Sequence, residues 1–279
     1  MISVIIPWYD NGDILRVKAK DSLFKALMNQ DYEGEIEIIV VSQESIGMFY
    51  AAQELKVKEI IVVSQESIGM FYAAQELKVK EIHLVKEGLF NKSWCINVGV
   101  KNATFDTVLV IDADMMIGLD YVRLAMYYFN ERNSRNIKFC MGWNNLILLP
   151  GRDNEFCRTV TPAYTEACGG TFIFDKSFFI YELGMMNEMF EGYGGEDNDL
   201  YYRVMDYCKR DKEFHLYFIP IVLAHHYHHW SILIKNNVTL MDIARENPEE
   251  IRHRLRWKVL GNIEGPVKIE MMDLIKGTE

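Results

Sequence analysis

Short apolar runs punctuate this chain at regular intervals, and the polar stretches between them carry helical spacing. Ser3–Pro7 reads as a buried strand, and 15–30 as a helix. Strand-like runs return at 36–41, 60–63, 82–85 and 107–111, with helical patterns between them. That alternation predicts βαβ units and a mostly parallel sheet. Beyond Asp114 the pattern turns mixed. It predicts a helix near 119–132, strands near 137–141 and 171–174, a helix from about 196 to 208, and a strand near 215–223. Asn247-Pro248-Glu249-Glu250 has the cap, proline and acidic first turn of a helix start running to about Val259. The expectation is one α/β unit over 1–279 whose α+β second half shares a single sheet with the first.

The first third contains a tandem repeat. Residues 39–60 read IVVSQESIGMFYAAQELKVKEI, and 61–82 repeat the string letter for letter. Two copies are a duplication rather than a solenoid, which needs three or more units to bury its faces. Removing either 22-residue copy leaves the same 257-residue chain. Each copy reads as a strand followed by a helix, so the expectation is one extra βα unit. Ile39–Val41 would stay beside the N-terminal strand, Val62-Val63 would take the third-strand position, and Ile82–Val85 would become a new edge.

Composition narrows the class. Of 279 residues, 49% are apolar and 25% charged, which fits a folded globular chain. With 30 Lys and Arg against 40 acids the net charge is −10, and a duplex-DNA binder normally carries a basic footprint instead. No run of 18 apolar residues predicts a spanning helix, and Met1–Pro7 is too short for a leader. Five scattered cysteines without CxxC spacing argue against a disulfide framework or a cysteine zinc site. The expectation is a cytoplasmic protein.

Four constellations can carry chemistry. Thr107–Ile111 runs into Asp112-Ala113-Asp114, two carboxylates just past a strand's carboxyl end, where ligands bind in open α/β sheets. Such oxygens can hold a divalent cation that bridges a diphosphate, although an isolated triplet of this kind is more often a solvated turn. Gly192-Tyr193-Gly194-Gly195-Glu196-Asp197-Asn198-Asp199 opens a helix with acids after flexible glycines, and a carboxylate there can act as a general base. Alone, it reads equally as a well-chosen acidic first turn. His225-His226-Tyr227-His228-His229 packs four imidazoles into five positions, a density that points to metal ligation. An extended backbone sends alternate residues to opposite faces, so not all four can hold one ion. Phe90-Asn91-Lys92-Ser93-Trp94-Cys95-Ile96-Asn97 offers Lys92 and Asn97 to phosphate or ribose oxygens, with a surface turn as the plainer reading.

Taken in order, these segments resemble the GT-A-fold glycosyltransferases, nearest the chondroitin-polymerase and β-1,4-galactosyltransferase C-terminal type. SVIIPWY is similar to the family's opening strand, FNKSWCINVG to its FNR segment, and IDADM to its DxD strand. GGTFIFDKSFFIYELGMMNEMFEGYGGEDNDLYYR matches the family's GG to GGED block almost throughout. The resemblance implies a Rossmann-like sheet with a nucleotide-binding half over 1–115, an acceptor and catalytic half over 116–230, and a helical extension over 231–279. It implies an inverting, metal-dependent transfer from a UDP-sugar to a glycan or glycoconjugate hydroxyl. Asp197 would be the base, and Glu196 would help hold the acceptor. Pro7, Tyr9, Phe90, Lys92, Asn97, Asp112, Gly170 and Tyr193 would line the nucleotide-sugar site. Tyr193 stands where the family has tryptophan. Ser42 and Gln43 stand where a base-contacting acid is usual, and they recur as Ser64 and Gln65. Asp114 would bind Mn²⁺ or Mg²⁺, with His225 and His228 as the best-spaced partners and His226 as a rival. Two other readings stand beside this one: a sugar transferase acting on modified nucleic acid bases, and a nucleotide-sugar-binding protein whose duplication has broken catalysis.

Overall fold

The computed structural model describes residues 1–9, 14–44, 78–85, 88–133, 137–149, 158–161, 166–225, 235–256, 258 and 260–267. Its strands are β1 (Ile2–Trp8), β2 (Ile36–Glu44), β3 (Lys78–Val85), β4 (Thr107–Ile111), β5 (Met115–Met116), β6 (Phe139–Met141), β7 (Asn145–Leu148), β8 (Arg158–Val160), β9 (Thr171–Asp175), β10 (Tyr217–Phe218) and β11 (Val222–His225). The helices are α1 (Ile14–Met28), α2 (Lys92–Asn102), α3 (Tyr121–Asn133), α4 (Glu196–Arg210), α5 (Lys235–Glu246) and α6 (Pro248–Arg256), with a π-helical turn at Phe178–Glu182.

The large sheet runs β10-β6-β9-β4-β1-β2-β3. It is parallel except for β9, which lies antiparallel between β4 and β6. Every residue of β1 is buried, as expected of a strand covered on both faces. Pro7 is tolerated there because the β4 ladder reaches only Ser3–Ile5, so no β4 carbonyl looks for its missing N–H. Rings of Phe139, Phe172, Phe174 and Phe179 stack behind β9 and fill the core at its antiparallel step.

Four expectations need correction. The second half shares the first half's sheet only in part: β6, β9 and β10 join it, while β5, β11, β7 and β8 form a separate four-stranded sheet. The strand expected over 215–223 breaks at Pro220, where the Ile221 N–H turns back to the Ile219 carbonyl at 2.7 Å. Its halves join different sheets. Phe90–Gly99 is not a surface turn but the start of α2, buried from Ser93 to Val100. A helix buried on every side, with Ser93 and Asn97 buried among its apolar residues, gives no amphipathic signature to read.

The fourth correction concerns the repeat. β3 pairs directly with β2, Glu37 opposite Lys78 and Glu44 opposite Val85, so no added strand stands between them. Residues 45–77, with Val62-Val63 and Ser64-Gln65, lie outside the described residues. β3 is built from the tail of the second copy and the three residues after it, His83, Leu84 and Val85. His83 sets an imidazole 2.9 Å from the Ser42 hydroxyl, and the Leu84 side chain is buried in the core.

Candidate active site

The carboxyl ends of β1, β2 and β4 point the same way, and the candidate residues gather there. β4 delivers Asp112, whose N–H donates to the Gly170 carbonyl at 2.8 Å. Its Oδ2 accepts from the Gly170 N–H at 3.2 Å and from the Lys92 ammonium at 2.7 Å. Lys92, on the first turn of α2, also lies 3.5 Å from Glu196 Oε1 on the first turn of α4. One ammonium thus ties the DxD turn to the GGED helix. Burial alone would lower the Lys92 pKa, but the charges of Asp112, Glu196 and Asp197 overturn that and hold it raised.

The acids on α4 show the reverse. Burial first, then the charge of Asp197, push Glu196 up to about 7, against the pull of Lys92. Its Oε2 is buried with no hydrogen-bond partner. Burial likewise raises Asp197, whose Oδ1 accepts the neighbouring Asn198 N–H at 3.0 Å. A Cβ on Gly169 would come 2.5 Å from Asp197 Oδ2, so glycine there is what lets the two segments touch. Gly195 opens the helix at φ +95°, a conformation side chains resist. Tyr193 is 43% exposed, and the charges of Asp197, Glu196, Lys92 and Asp114 all act on its hydroxyl after burial has raised it. Asp114 itself is buried. Tyr9 and Phe90 stack with centroids 5.2 Å apart, a flat aromatic pair beside Lys92.

Some expected ligand contacts are not available. Asn97 is buried, and its carboxamide is taken up by the Met186 N–H, the Met186 carbonyl and Glu188 Oε1 at 2.8–2.9 Å. It locks α2 to the Met186–Glu188 turn and presents nothing to a nucleotide. Ser42 is buried and meets His83, while Gln43 is buried with both ends of its amide bonded to backbone. Pro7 is buried inside β1.

Among the described residues no three His, Cys, Asp or Glu side chains gather as a metal set. His226, His228 and the side chain of His225 lie outside the described residues. The backbone register nevertheless sets His225 of β11 opposite Met115, the residue after Asp114.

Several supports were not foreseen. Arg203 is fully buried, bidentate on Asp199 Oδ2 at 2.6 and 2.9 Å, and donates to the carbonyls of Leu183 and Met185. An Asp and Arg four apart on α4 was the available signal. Asn237 of α5 donates to the carbonyls of Glu191, Tyr193 and Gly194, holding the glycine loop from a helix 40 residues away, and nothing local announces it.

Comparison with known proteins agrees with this architecture. The family described as the N-terminal domain of galactosyltransferase matches residues 158–228. No curated protein matches the chain. Residues 1–349 of S. aureus TarS, crystallised with UDP, share the fold at TM-score 0.53 and 14% identity, over 91% of this chain and 69% of that one. The same TarS region crystallised alone aligns at TM-score 0.46 and 18% identity, over 72% of this chain. That alignment spans about half of TarS 1–349, at 54%. A Drosophila β-1,4-galactosyltransferase 7 mutant, in complex with manganese, UDP-Gal and xylobiose, aligns at TM-score 0.48 and 11% identity over 85% of this chain and 78% of that one. Among the described residues no helix is long and apolar enough to cross a membrane.

Proposed function

We propose that this chain, a GT-A-fold glycosyltransferase by its architecture and its 158–228 segment, transfers a sugar from a UDP-sugar to a hydroxyl of a glycan acceptor with inversion. The observation that carries the reading is the convergence on Lys92. Its ammonium joins Asp112 at the DxD turn to Glu196 beside Asp197. A donor-binding strand end and a helix bearing a candidate base thereby face one space.

In this reading the Tyr9–Phe90 pair offers a flat surface to the uracil ring, and Lys92 faces the diphosphate oxygens. The acceptor lies against Tyr193, with Glu196 accepting or donating a hydrogen bond from its position next to the base. Asp197 takes the acceptor hydroxyl proton as that oxygen attacks the anomeric carbon. The bond from that carbon to the diphosphate breaks on the opposite face, and its electron pair leaves with the UDP. The transition state has oxocarbenium character, as in glycoside hydrolysis. Burial of Asp197 suits it to a base, since desolvation raises its proton affinity.

The donors present fit a divalent cation. Asp114 supplies a buried carboxylate, and the β5–β11 register brings His225, first of the histidine cluster, alongside it. Carboxylate with imidazole favours Mn²⁺ over Mg²⁺, with His228 or His226 as the further ligand. Such an ion would offset charge on the departing diphosphate.

The test is a screen of UDP-sugars for Mn²⁺-dependent UDP release, with and without glycan acceptors. Release with one donor, abolished in Asp197→Asn, is expected. A wild-type protein that binds UDP yet releases none with any donor or acceptor would reduce the chain to a nucleotide-sugar binder.

A further inference from the structure

Gln43 does something other than touch a nucleotide. It stands at the end of β2, 1% exposed, with no face turned to solvent or ligand. Its Nε2 donates to the Leu89 carbonyl at 3.0 Å, and its Oε1 accepts from the Asn91 N–H at 2.8 Å. One side chain thus bonds the loop on both sides of Phe90, as a neighbouring strand would. The loop is pinned at three further points. Gly192 donates to the Phe90 carbonyl at 2.7 Å, Asn91 Oδ1 caps α2 through the Trp94 N–H at 2.8 Å, and Asn91 Nδ2 reaches the Glu188 carbonyl at 2.8 Å. Of these anchors only Gln43 comes from the nucleotide-binding sheet itself.

We propose that Gln43 is a positioning residue. It registers the Leu89–Asn91 backbone against β2, and so sets both the Phe90 ring on Tyr9 and the origin of the helix that aims Lys92 at Asp112. The physical case rests on satisfaction of buried groups. Asn91 is wholly buried, so without Gln43 its N–H loses its partner there, and that cost is relieved only if the loop moves. Movement at residue 90 or 92 displaces the aromatic surface or the ammonium by the same amount. The assignment of these two groups to a nucleotide rests on the glycosyltransferase reading above. The clamp itself does not.

The experiment uses Gln43→Met, which fills the volume and removes both bonds, and Gln43→Glu, which keeps the acceptor for Asn91. UDP binding is measured by calorimetry with Mn²⁺ present, and amide exchange by mass spectrometry without ligand. Gln43→Met is expected to weaken UDP about tenfold, the scale of one buried hydrogen bond. It should also speed exchange at Asn91 and Trp94 about tenfold. Gln43→Glu should recover part of both. Gln65→Met, the same change in the second copy, should alter neither. In a Phe90→Ala, Lys92→Ala background, Gln43→Met should cost UDP affinity less than about twofold, because its effect passes through those residues. A full tenfold loss in that background would make Gln43 a direct nucleotide contact and overturn the proposal. Unchanged exchange at Asn91 would overturn it as well. A wild-type protein that binds no UDP, with exchange still accelerated in Gln43→Met, would sink the nucleotide reading and leave the clamp standing.

Discussion

Two buried glutamates, Glu37 at the amino end of the sheet and Glu196 at its carboxyl end, meet opposite fates. Glu37 is 2% exposed, yet its carboxylate accepts from the Ser3 hydroxyl, the Thr104 N–H and hydroxyl, and pairs with Lys80. Burial would raise it, but those bonds outweigh burial and hold it at about 2. Glu196 is 8% exposed, and one of its oxygens has no partner at all. Burial and Asp197 push it up to about 7. Two nearly inaccessible side chains therefore give a fixed anion at one end and a carboxyl poised near neutrality at the other. Glu196 is the more deeply enclosed and stands beside the like charge of Asp197, whereas Glu37 has a donor for each of its oxygens. A satisfied acid stitches β1, β2, β3 and the connection between α2 and β4 together. An unsatisfied one is, under the function proposed above, where a ligand would complete the site.

The largest expected effect breaks the comparison on the catalytic side alone. Asp197→Asn is expected to lose turnover by ~10²–10⁴-fold, the range for removing a general base. Its melting temperature and UDP affinity should stay near wild type. Retained turnover would move the base to Glu196.

Next comes the opposite break. Glu37→Ala strands the Ser3 hydroxyl and the Thr104 N–H, and is expected to cost about 2–3 kcal/mol of stability in urea titrations. Activity per folded molecule should be unchanged, since no residue of the site touches Glu37. A depressed acid gives stability that is present above its unfolded value and is lost as pH falls through the folded one. Wild type should therefore lose this contribution between about pH 4.5 and 2.

Glu196 sharpens the comparison with the reverse sign. The native state holds its proton more tightly than the unfolded chain, so stability should fall as pH rises from about 4.5 to 7. Glu196→Gln should flatten that slope and make the ligand-free protein more stable than wild type at pH 8, by about 3 kcal/mol at most. Equal slopes in wild type and variant, read from melting temperatures across that window, would show that Glu196 is already ionised at neutral pH.

What the sequence disclosed follows the same division. Strands β1, β2, β4 and β9 were legible because buried strands are unbroken apolar runs, and the GGED helix start was legible because acids after glycines are conspicuous. α2 was hidden because it is buried on every side, polar Ser93 and Asn97 included, so polarity does not mark an outer face. Gln43 and Asn97 were misread for a shared reason. A polar residue at a strand end or within a motif looks like a ligand contact, and only the fold shows its amide consumed by backbone. Asn237 was invisible because its three carbonyl partners are set by tertiary packing.

The smallest effect is expected from removing the repeat. Deleting 45–66 leaves the same 257-residue chain as deleting either copy, and keeps β2 and β3 intact with Glu37, Ser42 and Gln43 in place. The connection from Glu44 to Lys78 shortens from 33 residues to 11. It must still return from the level of Glu44 to that of Glu37, seven residues back along the sheet, or about 23 Å. Eleven residues reach about 36 Å when extended, so the shortened chain spans the gap without straining either strand. Closure entropy alone favours the shorter connection by about 1 kcal/mol, from the threefold drop in length. The deletion variant should accordingly melt within a few degrees of the 279-residue protein or slightly above it, and bind UDP with the same affinity. Loss of folding, or a tenfold loss of UDP affinity in a folded variant, would mean that the sheet edge or the site draws on residues of the repeat beyond those that β2 and β3 supply.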